Sequence, residues 1–511
     1  MTFARSLGGG FLSLRDRIGQ IGSFLVSLVL RRPGDDLASK LSFLGLRPGC
    51  VQQSGMLILT DIEPTNEKAL GQTLENIGAR LTQPLNVPFD KTKTVHYAAW
   101  MILPGINSPD PKQPSGPARL AFETNYDGDL EDHLKDLVAN CRQELDEVYG
   151  FSPGYPPKGS AAASVEAFLV DNYRRTSSSI DTFAHYVALP GRSLEDIKNA
   201  IAVYDEAKDF IDNPLNKNSD PNKIQSSLIN YFRGNAQEKP ARFPMMQRGL
   251  RGLFVWNMTV LTLLCLVVPI LLFVSPWLCW LRGLKGLSAI GMWVLTILCV
   301  MPLIYNLRWI AITLIGRYFE DKEQRSPEPF DPTGHPAKYR GLDLGRQNHI
   351  CTYATVKPGW FRMYLLKRAL WIGPVLFKYF FILGKLDQMS TIHFARWTLI
   401  GRQLIFCSNY DGSWSSYLSD FSDEAWGVNL VWGNTIGYPE TKFIVWRGAH
   451  DLEGFETQAA EHYAPAPVFY SAYRDRSLVN LLRYVEFRDK LLEEMAAGPI
   501  RQRVRSLLAL I

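Results

Sequence analysis

The chain has 511 residues, of which 46% are hydrophobic and 21% charged. This composition gives room for about three domains and excludes a disordered chain. The net charge of +5, with no stripe of base-reading residues, predicts no nucleic-acid partner. Seven scattered cysteines without a CxxC pair argue against a disulfide framework or a zinc cluster, so we expect no metal site and a reducing compartment.

Residues 1–50 form an N-terminal segment whose uncharged run, Ile18–Leu30, is too short to span a bilayer. No small-residue cleavage site follows this run, as a secretory signal would require. We interpret the segment either as an amphipathic helix on a membrane surface or as a packing helix.

Residues 51–158 form a first α+β unit with the order β-α-β-β-α-β. Its predicted elements are a strand at Met56–Ile62, a helix at Asn66–Leu81, strands at Thr94–Leu103 and Arg119–Thr124, a helix after Asp127, and a short strand near Val148.

Residues 159–250 form a connecting region that contains a strand-like run, DTFAHYVALPGRS. The helix LEDIKNAIAVYDEAKDFID follows, with Ser193 as its predicted N-cap and Asp196 three positions later. Arg192 stands beside this helix start. It could hold an anionic group there, although a plain helix cap is the favoured interpretation.

Residues 251–318 contain two uncharged runs, Leu253–Leu281 and Gly286–Leu307. The first is long enough for about 44 Å of helix, against a hydrocarbon core of about 30 Å. The runs predict a two-helix transmembrane hairpin. Four basic residues lie just before the hairpin and four lie just after it, whereas its loop contains only Arg282 and Lys285. Basic residues favour the cytoplasmic side, so the regions that flank the hairpin are predicted to be cytoplasmic. The uncharged spans disfavour a channel or transporter.

A linker at 319–345 leads to a second β-α-β-β-α-β unit at 346–450, and residues 451–511 form a helical C-terminal extension. The predicted elements of the second unit are strands at His349–Val356, Thr391–Leu399, Gln403–Ser408 and Val428–Asn434, and helices at Trp360–Leu383 and Ser413–Glu424. The helix after Trp360 is basic and aromatic, which favours the membrane interface over burial against the domain.

The two units are an internal repeat. VHYAAW, ETNYDG and VYGFSPGYP in the first correspond to IHFARW, CSNYDG and VWGNTIGYP in the second. The blocks keep their order, and the main length difference falls in a Pro- and Gly-rich loop of the first unit. The fold class is therefore α+β, with two ferredoxin-like repeats flanking a transmembrane hairpin.

His96 and His393 occupy equivalent strand positions, and a neutral imidazole there could ligate haem iron or act as a general base. A structural histidine is the favoured alternative. If one unit is active, the second is preferred, with His393, Arg396 and Asp411 as catalytic candidates. Strand alternation places His393 and Trp397 on one face and Arg396 on the other. The candidate cofactor-binding residues are His96, Trp397, Asp127 and Asn409.

The NYDG turns, Asn125–Gly128 and Asn409–Gly412, are explained by turn and N-cap chemistry alone. The functional interpretation, in which Asp411 presents a carboxylate near His393, stays open. The tandem units resemble the α+β barrel superfamily of dye-decolorising peroxidases, chlorite-dismutase-like haem proteins and small cofactor-free monooxygenases. The peroxidases carry a GxxDG motif, and the corresponding segments here, Thr124–Gly128 and Ser408–Gly412, lack its leading glycine.

The resemblance implies an oxidoreductase, and haem is the cofactor it suggests. The sequence thus predicts a protein anchored in a lipid bilayer whose cytoplasmic domains bind or oxidise a lipophilic small molecule. A non-catalytic membrane-bound scaffold is the alternative, and pairing of the repeats within one chain or in a homo-oligomer stays open.

Overall fold

The computed structural model describes most of both repeats. The described residues are 53–81, 88–105, 116–173, 182–213, 221–235, 311, 314–316, 318, 345–379, 389–423 and 425–496. The N-terminal segment and the two uncharged runs expected to form the hairpin lie outside these ranges. Among the described helices, none combines the length and the apolar character that a bilayer crossing needs.

Ten strands and eleven helices occupy the described ranges, with 3₁₀ turns at Pro88–Lys91 and Gly448–His450. The strands are β1 (Gln53–Asp61), β2 (Val95–Leu103), β3 (Arg119–Asp127), β4 (Thr182–Val187), β5 (Gln347–Thr355), β6 (Ile392–Ile400), β7 (Gln403–Asp411), β8 (Thr441–Lys442), β9 (Trp446–Arg447) and β10 (Val468–Ser471). The helices are α1 (Glu67–Leu81), α2 (Leu130–Asn140), α3 (Arg142–Tyr149), α4 (Ala162–Asn172), α5 (Leu194–Asp212), α6 (Pro221–Asn235), α7 (Trp360–Tyr379), α8 (Trp414–Asp423), α9 (Ala425–Trp432), α10 (Leu452–Glu461) and α11 (Leu478–Ala496).

The structure confirms the α+β class and shows two four-stranded antiparallel sheets. Their strand orders are β1-β3-β2-β10 and β4-β6-β7-β5. Each sheet takes three strands from one repeat and its edge strand from the other half of the chain. β4 follows the first repeat but pairs with β6, and β10 follows the second repeat but pairs with β2. The two halves are therefore intertwined by an exchange of edge strands.

The predicted fourth strand of each repeat is wrong. The segment near Val148 is the end of helix α3, and Val428–Asn434 lies mostly in helix α9. Both segments are rich in β-branched and aromatic residues, but Leu145, Val148 and Tyr149 in α3 are buried at helical spacing. The fourth strand of each sheet is instead the exchanged strand, which pairs with the second strand of a repeat.

Two apolar layers cover the outer faces of the sheets. In the first half, Trp100 and Phe122 stack with centroids 4.3 Å apart beneath α1 and α2. In the second half, α7 lies on β4 and β6, where Phe377 stacks on Trp397 at 5.1 Å. Helix α7 thus buries one side against the domain, as the alternative interpretation expected, and its Trp360 is 67% exposed.

The inner faces of the sheets pack against each other. Small and aliphatic side chains fill this layer: Leu57, Leu59, Ala99, Met101, Ala121, Cys351, Ile405 and Cys407. Because both sheets come from one chain, the pairing that two copies could have made is formed within the chain.

Gly78 in α1 lies against the chain just before the exchanged strand β10. A Cβ at this position would come within 2.0 Å of the backbone oxygen of Pro467. We expect Gly78→Ala to lower the free energy of unfolding by about 1–3 kcal/mol, because backbone must move to relieve the clash. Denaturant unfolding of the detergent-purified full chain, followed by tryptophan fluorescence, measures the change.

Gly71 on the same helix is the matched control, since a Cβ there would meet no atom within 4 Å. Gly71→Ala should raise the free energy of unfolding by about 0.5–1 kcal/mol through helix propensity. Equal effects of the two substitutions would contradict the docking of β10 beside α1.

Candidate functional site

The two NYDG turns meet at the centre of the molecule. Asn125 Nδ2 donates to Asn409 Oδ1 at 3.0 Å, and the two residues are 284 positions apart in the sequence. They are equivalent in the repeat, so this bond lies where a pseudo-twofold relation between the halves would place its axis. Gly128 and Gly412 both have a positive φ, of 81° and 90°, which explains glycine at the end of each motif.

A histidine and an aspartate pair in each half. His96 Nε2 lies 2.8 Å from Asp127 Oδ1, and His393 Nε2 lies 2.7 Å from Asp411 Oδ1. The four side chains are buried, with Asp411 the most exposed at 9%. Sequence analysis expected the His393–Asp411 proximity as one open interpretation, and the structure brings these two residues together.

Each aspartate also binds the start of the helix that follows an exchanged strand. Asp127 Oδ2 accepts from the Leu194 backbone N–H at 2.5 Å, and Asp411 Oδ2 accepts from the Leu478 N–H at 2.6 Å. A carboxylate is stabilised at a helix N-terminus by the free N–H groups and the helix dipole. Each His–Asp pair therefore fastens α5 or α11 to the end of a sheet.

The exchanged helices also bind each other reciprocally. Arg192 at the start of α5 forms an ion pair with Asp489 in α11, and Arg476 at the start of α11 forms one with Asp205 in α5 at 2.6 Å. Arg192 thus has a protein carboxylate as its partner, in place of the anionic ligand that sequence analysis weighed. Ser193 accepts from the Asp196 N–H at 3.0 Å, which confirms it as the N-cap.

Two candidate residues of the second repeat, His393 and Trp397, do not share a face. The register of β6 against β7 shifts between Ile392 and Phe394, so a bulge at His393 breaks the expected alternation. The His393 ring packs on Tyr97 at 5.5 Å, whereas Trp397 lies under α7 on the outer face. Placing His393 and Trp397 on one face was therefore wrong.

Arg396 lies between the sheets. A Cβ on Gly55 would come within 2.9 Å of its Nη1, and its Nε donates to Thr398 Oγ1 at 3.2 Å. Glycine at position 55 of the first sheet therefore leaves room for this guanidinium. Asn409 sits with Asn125 at the centre of the molecule, also away from Trp397.

The environment of His96 does not fit haem ligation. His96 has Asp127 on Nε2 and the Tyr473 hydroxyl on Nδ1 at 2.6 Å. His393 engages Asp411 through Nε2. A haem ligand needs a ring nitrogen open toward the iron. The geometry instead favours the structural interpretation, in which each imidazole holds a helix-capping aspartate.

A second polar cluster, which sequence analysis missed, lies between the sheets. Glu123, His349 and Cys407 come from β3, β5 and β7, and one potential ligand atom from each lies within 4.8 Å of the other two. Burial raises the pKa of Glu123 to about 7, partly offset by the positive charge of Arg396. Burial also lowers the pKa of His349 to about 3, so its imidazole is neutral at physiological pH.

Two further buried histidines are neutral for the same reason. Burial lowers the pKa of His185 to about 3, with a smaller contribution from Arg396, and His185 Nε2 is 3.0 Å from Asn125 Oδ1. His133 also has its pKa lowered to about 3 by burial, and stacks on Tyr126 at 3.9 Å. In the second repeat Tyr417 stacks on Tyr410 at 4.0 Å in the equivalent place.

A signal for the exchanged helices was present in the sequence. Arg192-Ser193-Leu194 recurs as Arg476-Ser477-Leu478, at the same separation as the two NYDG asparagines. The repeat therefore continues beyond the GYP motifs. Glu123, His349 and Cys407 show no such signal, because they are brought together from three strands without a local spacing pattern.

Comparison with known proteins assigns neither a family nor a function to the chain. No protein-family model matches the chain, and no curated protein or solved structure does either.

Proposed function

We propose that this protein is a membrane-anchored scaffold. In this proposal its intertwined α+β domain is held at the cytoplasmic face of a bilayer by a two-helix hairpin at Leu253–Leu281 and Gly286–Leu307. The observation that carries the proposal is the strand exchange. β4 precedes the two apolar runs and β6 follows them, yet the two strands pair along six residues of each.

The exchange constrains how the chain could cross a membrane. Because the segments before and after residues 236–344 belong to one folded body, both must lie on one side of any bilayer. An even number of crossings is therefore required between them. Two uncharged runs meet this requirement, and the excess of basic residues outside the loop selects the cytoplasmic side.

An exposed aromatic patch supports the membrane location. Within the described residues, seven large hydrophobic side chains are exposed, and five of them are Leu314, Ile315, Tyr318, Trp360 and Trp446. Residues 314–318 closely follow the second apolar run, and Gly316 lies against Ile444 and Phe361. Tryptophan and tyrosine prefer the interface of a bilayer, so this patch is suited to lie at the headgroups.

At a finer level we propose that the halves are ferredoxin-like units whose last strands are exchanged, an arrangement like that of dimeric α+β barrels. The scaffold is preferred over the oxidoreductase for two reasons. His393 and Trp397 lie on different faces of the second sheet. The aspartate of each His–Asp pair also binds a helix N-terminus of the same chain. Fold resemblance alone does not carry an activity.

A lipophilic ligand is the second candidate, and the second half has a small cavity with an aromatic lining. Its volume is about 20 Å³, room for a water-sized molecule, and Phe406, Tyr417, Phe421 and Trp432 are part of its lining. A larger ligand would require these aromatic side chains to move.

Cysteine accessibility in intact cells tests the scaffold's topology. Gly283→Cys places a thiol in the predicted external loop, and Glu67→Cys places one on the exposed start of α1. We expect an impermeant maleimide to label the first variant in intact cells and both after permeabilisation. The protein should also stay in the membrane pellet after alkaline carbonate extraction.

The parent protein is the labelling background, because it contains seven cysteines of its own. Labelling of Glu67→Cys in intact cells would contradict the proposed orientation. Release of the chain by carbonate would contradict the anchor itself.

A further inference from the structure

The interior between the sheets contains metal-ligand chemistry among mostly apolar side chains. Glu123, His349 and Cys407 are each about 2% exposed, and their neighbours include Leu57, Ala99, Met101 and Ile405. Burying a carboxyl group and an imidazole among aliphatic side chains costs free energy unless their polar atoms find partners. Glu123, His349 and Cys407 therefore need an explanation beyond packing.

Within the described part of the chain, one atom of the Glu123 carboxyl and one of the His349 ring have no hydrogen-bond partner, although the Glu123 carboxyl also bonds with Cys407 and Asn125. The two atoms without a partner are Glu123 Oε2 and His349 Nε2, and the distance of 3.8 Å between them is too long for a hydrogen bond. The other nitrogen of the His349 ring lies 3.2 Å from Asn409 Nδ2. The orphaned nitrogen and oxygen both belong to the group whose potential ligand atoms converge within 4.8 Å.

Cys351 places a second sulfur near the group, but its Sγ does not lie within 4.8 Å of all three other ligand atoms and must move closer to complete a four-ligand site. Cys351 is the direct cross-strand partner of Cys407, and the two Sγ atoms are 3.6 Å apart. Two thiolates bound to one zinc ion at about 2.3 Å in tetrahedral geometry lie about 3.8 Å apart. For a nitrogen and an oxygen ligand at about 2.0–2.1 Å the separation is about 3.3 Å. The Sγ–Sγ distance already matches, and the Nε2–Oε2 distance needs a contraction of about 0.5 Å.

We propose that Cys351, Cys407, His349 and Glu123 form a closed, four-coordinate Zn²⁺ site between the two sheets. Thiolate, imidazole and carboxylate are the ligand types that zinc takes in proteins, and a site with four protein ligands is structural. The ion satisfies both orphaned atoms. Two thiolates and a carboxylate leave one negative charge on the zinc complex, and Arg396, whose charge acts on Glu123, balances it.

The site links the halves of the molecule. Glu123 belongs to the first sheet, whereas His349, Cys351 and Cys407 belong to the second. In the repeat, Glu123 is the counterpart of Cys407, so two equivalent positions supply different ligands to one ion. This role goes beyond the proposed scaffold and does not depend on the membrane anchor.

Metal analysis of the full-length protein, purified in detergent after growth with added zinc, tests the proposal. We expect about one zinc ion per chain to remain after dialysis against a mild chelator, as for a closed structural site. Zinc X-ray absorption on the unmutated protein should show two sulfur and two nitrogen or oxygen neighbours. One sulfur neighbour would overturn the assignment of Cys351.

Cys407→Ala should lower the retained zinc about tenfold or more, as should Cys351→Ala. Cys141→Ala is the matched control, because Cys141 is also a buried free cysteine but lies in the core of the first half. Its zinc content should equal that of the unmutated protein.

Three results would overturn the proposal without relying on the folding of a variant. The first is unmutated protein that holds no zinc after zinc-supplemented growth. The second is recovery of Cys351 and Cys407 as a disulfide in protein purified under reducing conditions. Cobalt replacing zinc in the unmutated protein should give a thiolate-to-cobalt charge-transfer band, and its absence would also contradict the site.

Discussion

Replacement of Asp411 by alanine is expected to lower the free energy of unfolding by about 3–5 kcal/mol. Its carboxylate accepts from His393 at 2.7 Å and from the Leu478 backbone N–H at 2.6 Å. Alanine would leave the Leu478 N–H unpaired and remove the carboxylate partner of the buried His393 ring, and would detach the start of α11 from the second sheet. Denaturant unfolding of the detergent-purified full chain measures the loss.

Asp411→Asn separates charge from hydrogen bonding, since an amide oxygen can still accept one bond. Its loss should be smaller, about 1–2 kcal/mol. Asp212→Ala, at an exposed carboxylate near the end of α5, is the control and should change the free energy of unfolding by about 0.5 kcal/mol or less.

A variant of His393 distinguishes a structural role of this histidine from haem ligation. His393→Ala should destabilise the protein through the orphaned carboxylate of Asp411. A structural histidine predicts that the absorbance spectrum stays the same in this variant after expression with ample haem. A Soret band in the parent protein that His393→Ala removes without loss of stability would contradict the structural interpretation.

Some helices of this fold could be predicted because their hydrophobic periodicity and capping residues lie within the helix itself. The periodicity of LEDIKNAIAVYDEAKDFID and the cap at Ser193 identify α5 from Leu194 to Asp212 as observed. The edge-strand exchange could not be predicted in this way. β10 pairs with β2 across more than 360 residues, and nothing in Val468–Ser471 selects that partner over the nearer sheet.

The candidate sites also divide into residues that a sequence pattern marks and residues that only the strand register brings together. His96 and His393 were found as candidates because the repeat marks them, but one bulged residue at His393 was enough to change which face its side chain occupies. The absence of a CxxC pair among the seven cysteines argues against a zinc cluster and does not single out Cys351 and Cys407. They are cross-strand partners 56 residues apart, a relation that only the strand register establishes.

Replacement of Arg488 by alanine should also lower the free energy of unfolding by about 3–5 kcal/mol, because it leaves the buried Asp196 with Arg192, at 3.4 Å, as its remaining cation. Arg488 in α11 is 2% exposed and forms an ion pair with Asp196 in α5, whose side chain is fully buried. Its Nη1 also donates to the Asp196 backbone oxygen at 2.8 Å, and Nη2 donates to Asp489 Oδ1 at 3.0 Å.

Lys490 is the matched control on the same helix. It forms a surface ion pair with Glu486 at 2.7 Å, with both side chains partly exposed. Lys490→Ala should cost about 1 kcal/mol or less, since water screens the pair.

A double replacement decides what the buried pair contributes. Arg488→Met with Asp196→Leu removes both charges together, so neither is left uncompensated, and should recover most of the stability that Arg488→Ala loses. Recovery would mean that Arg488 is needed because Asp196 is buried, and that the helices of the two halves associate mainly through apolar contacts such as Tyr204 with Phe487. If the double variant were no more stable than Arg488→Ala, the ion pair itself would hold α5 against α11. The polar contacts between the exchanged helices, including Arg192 with Asp489, would then join the two halves.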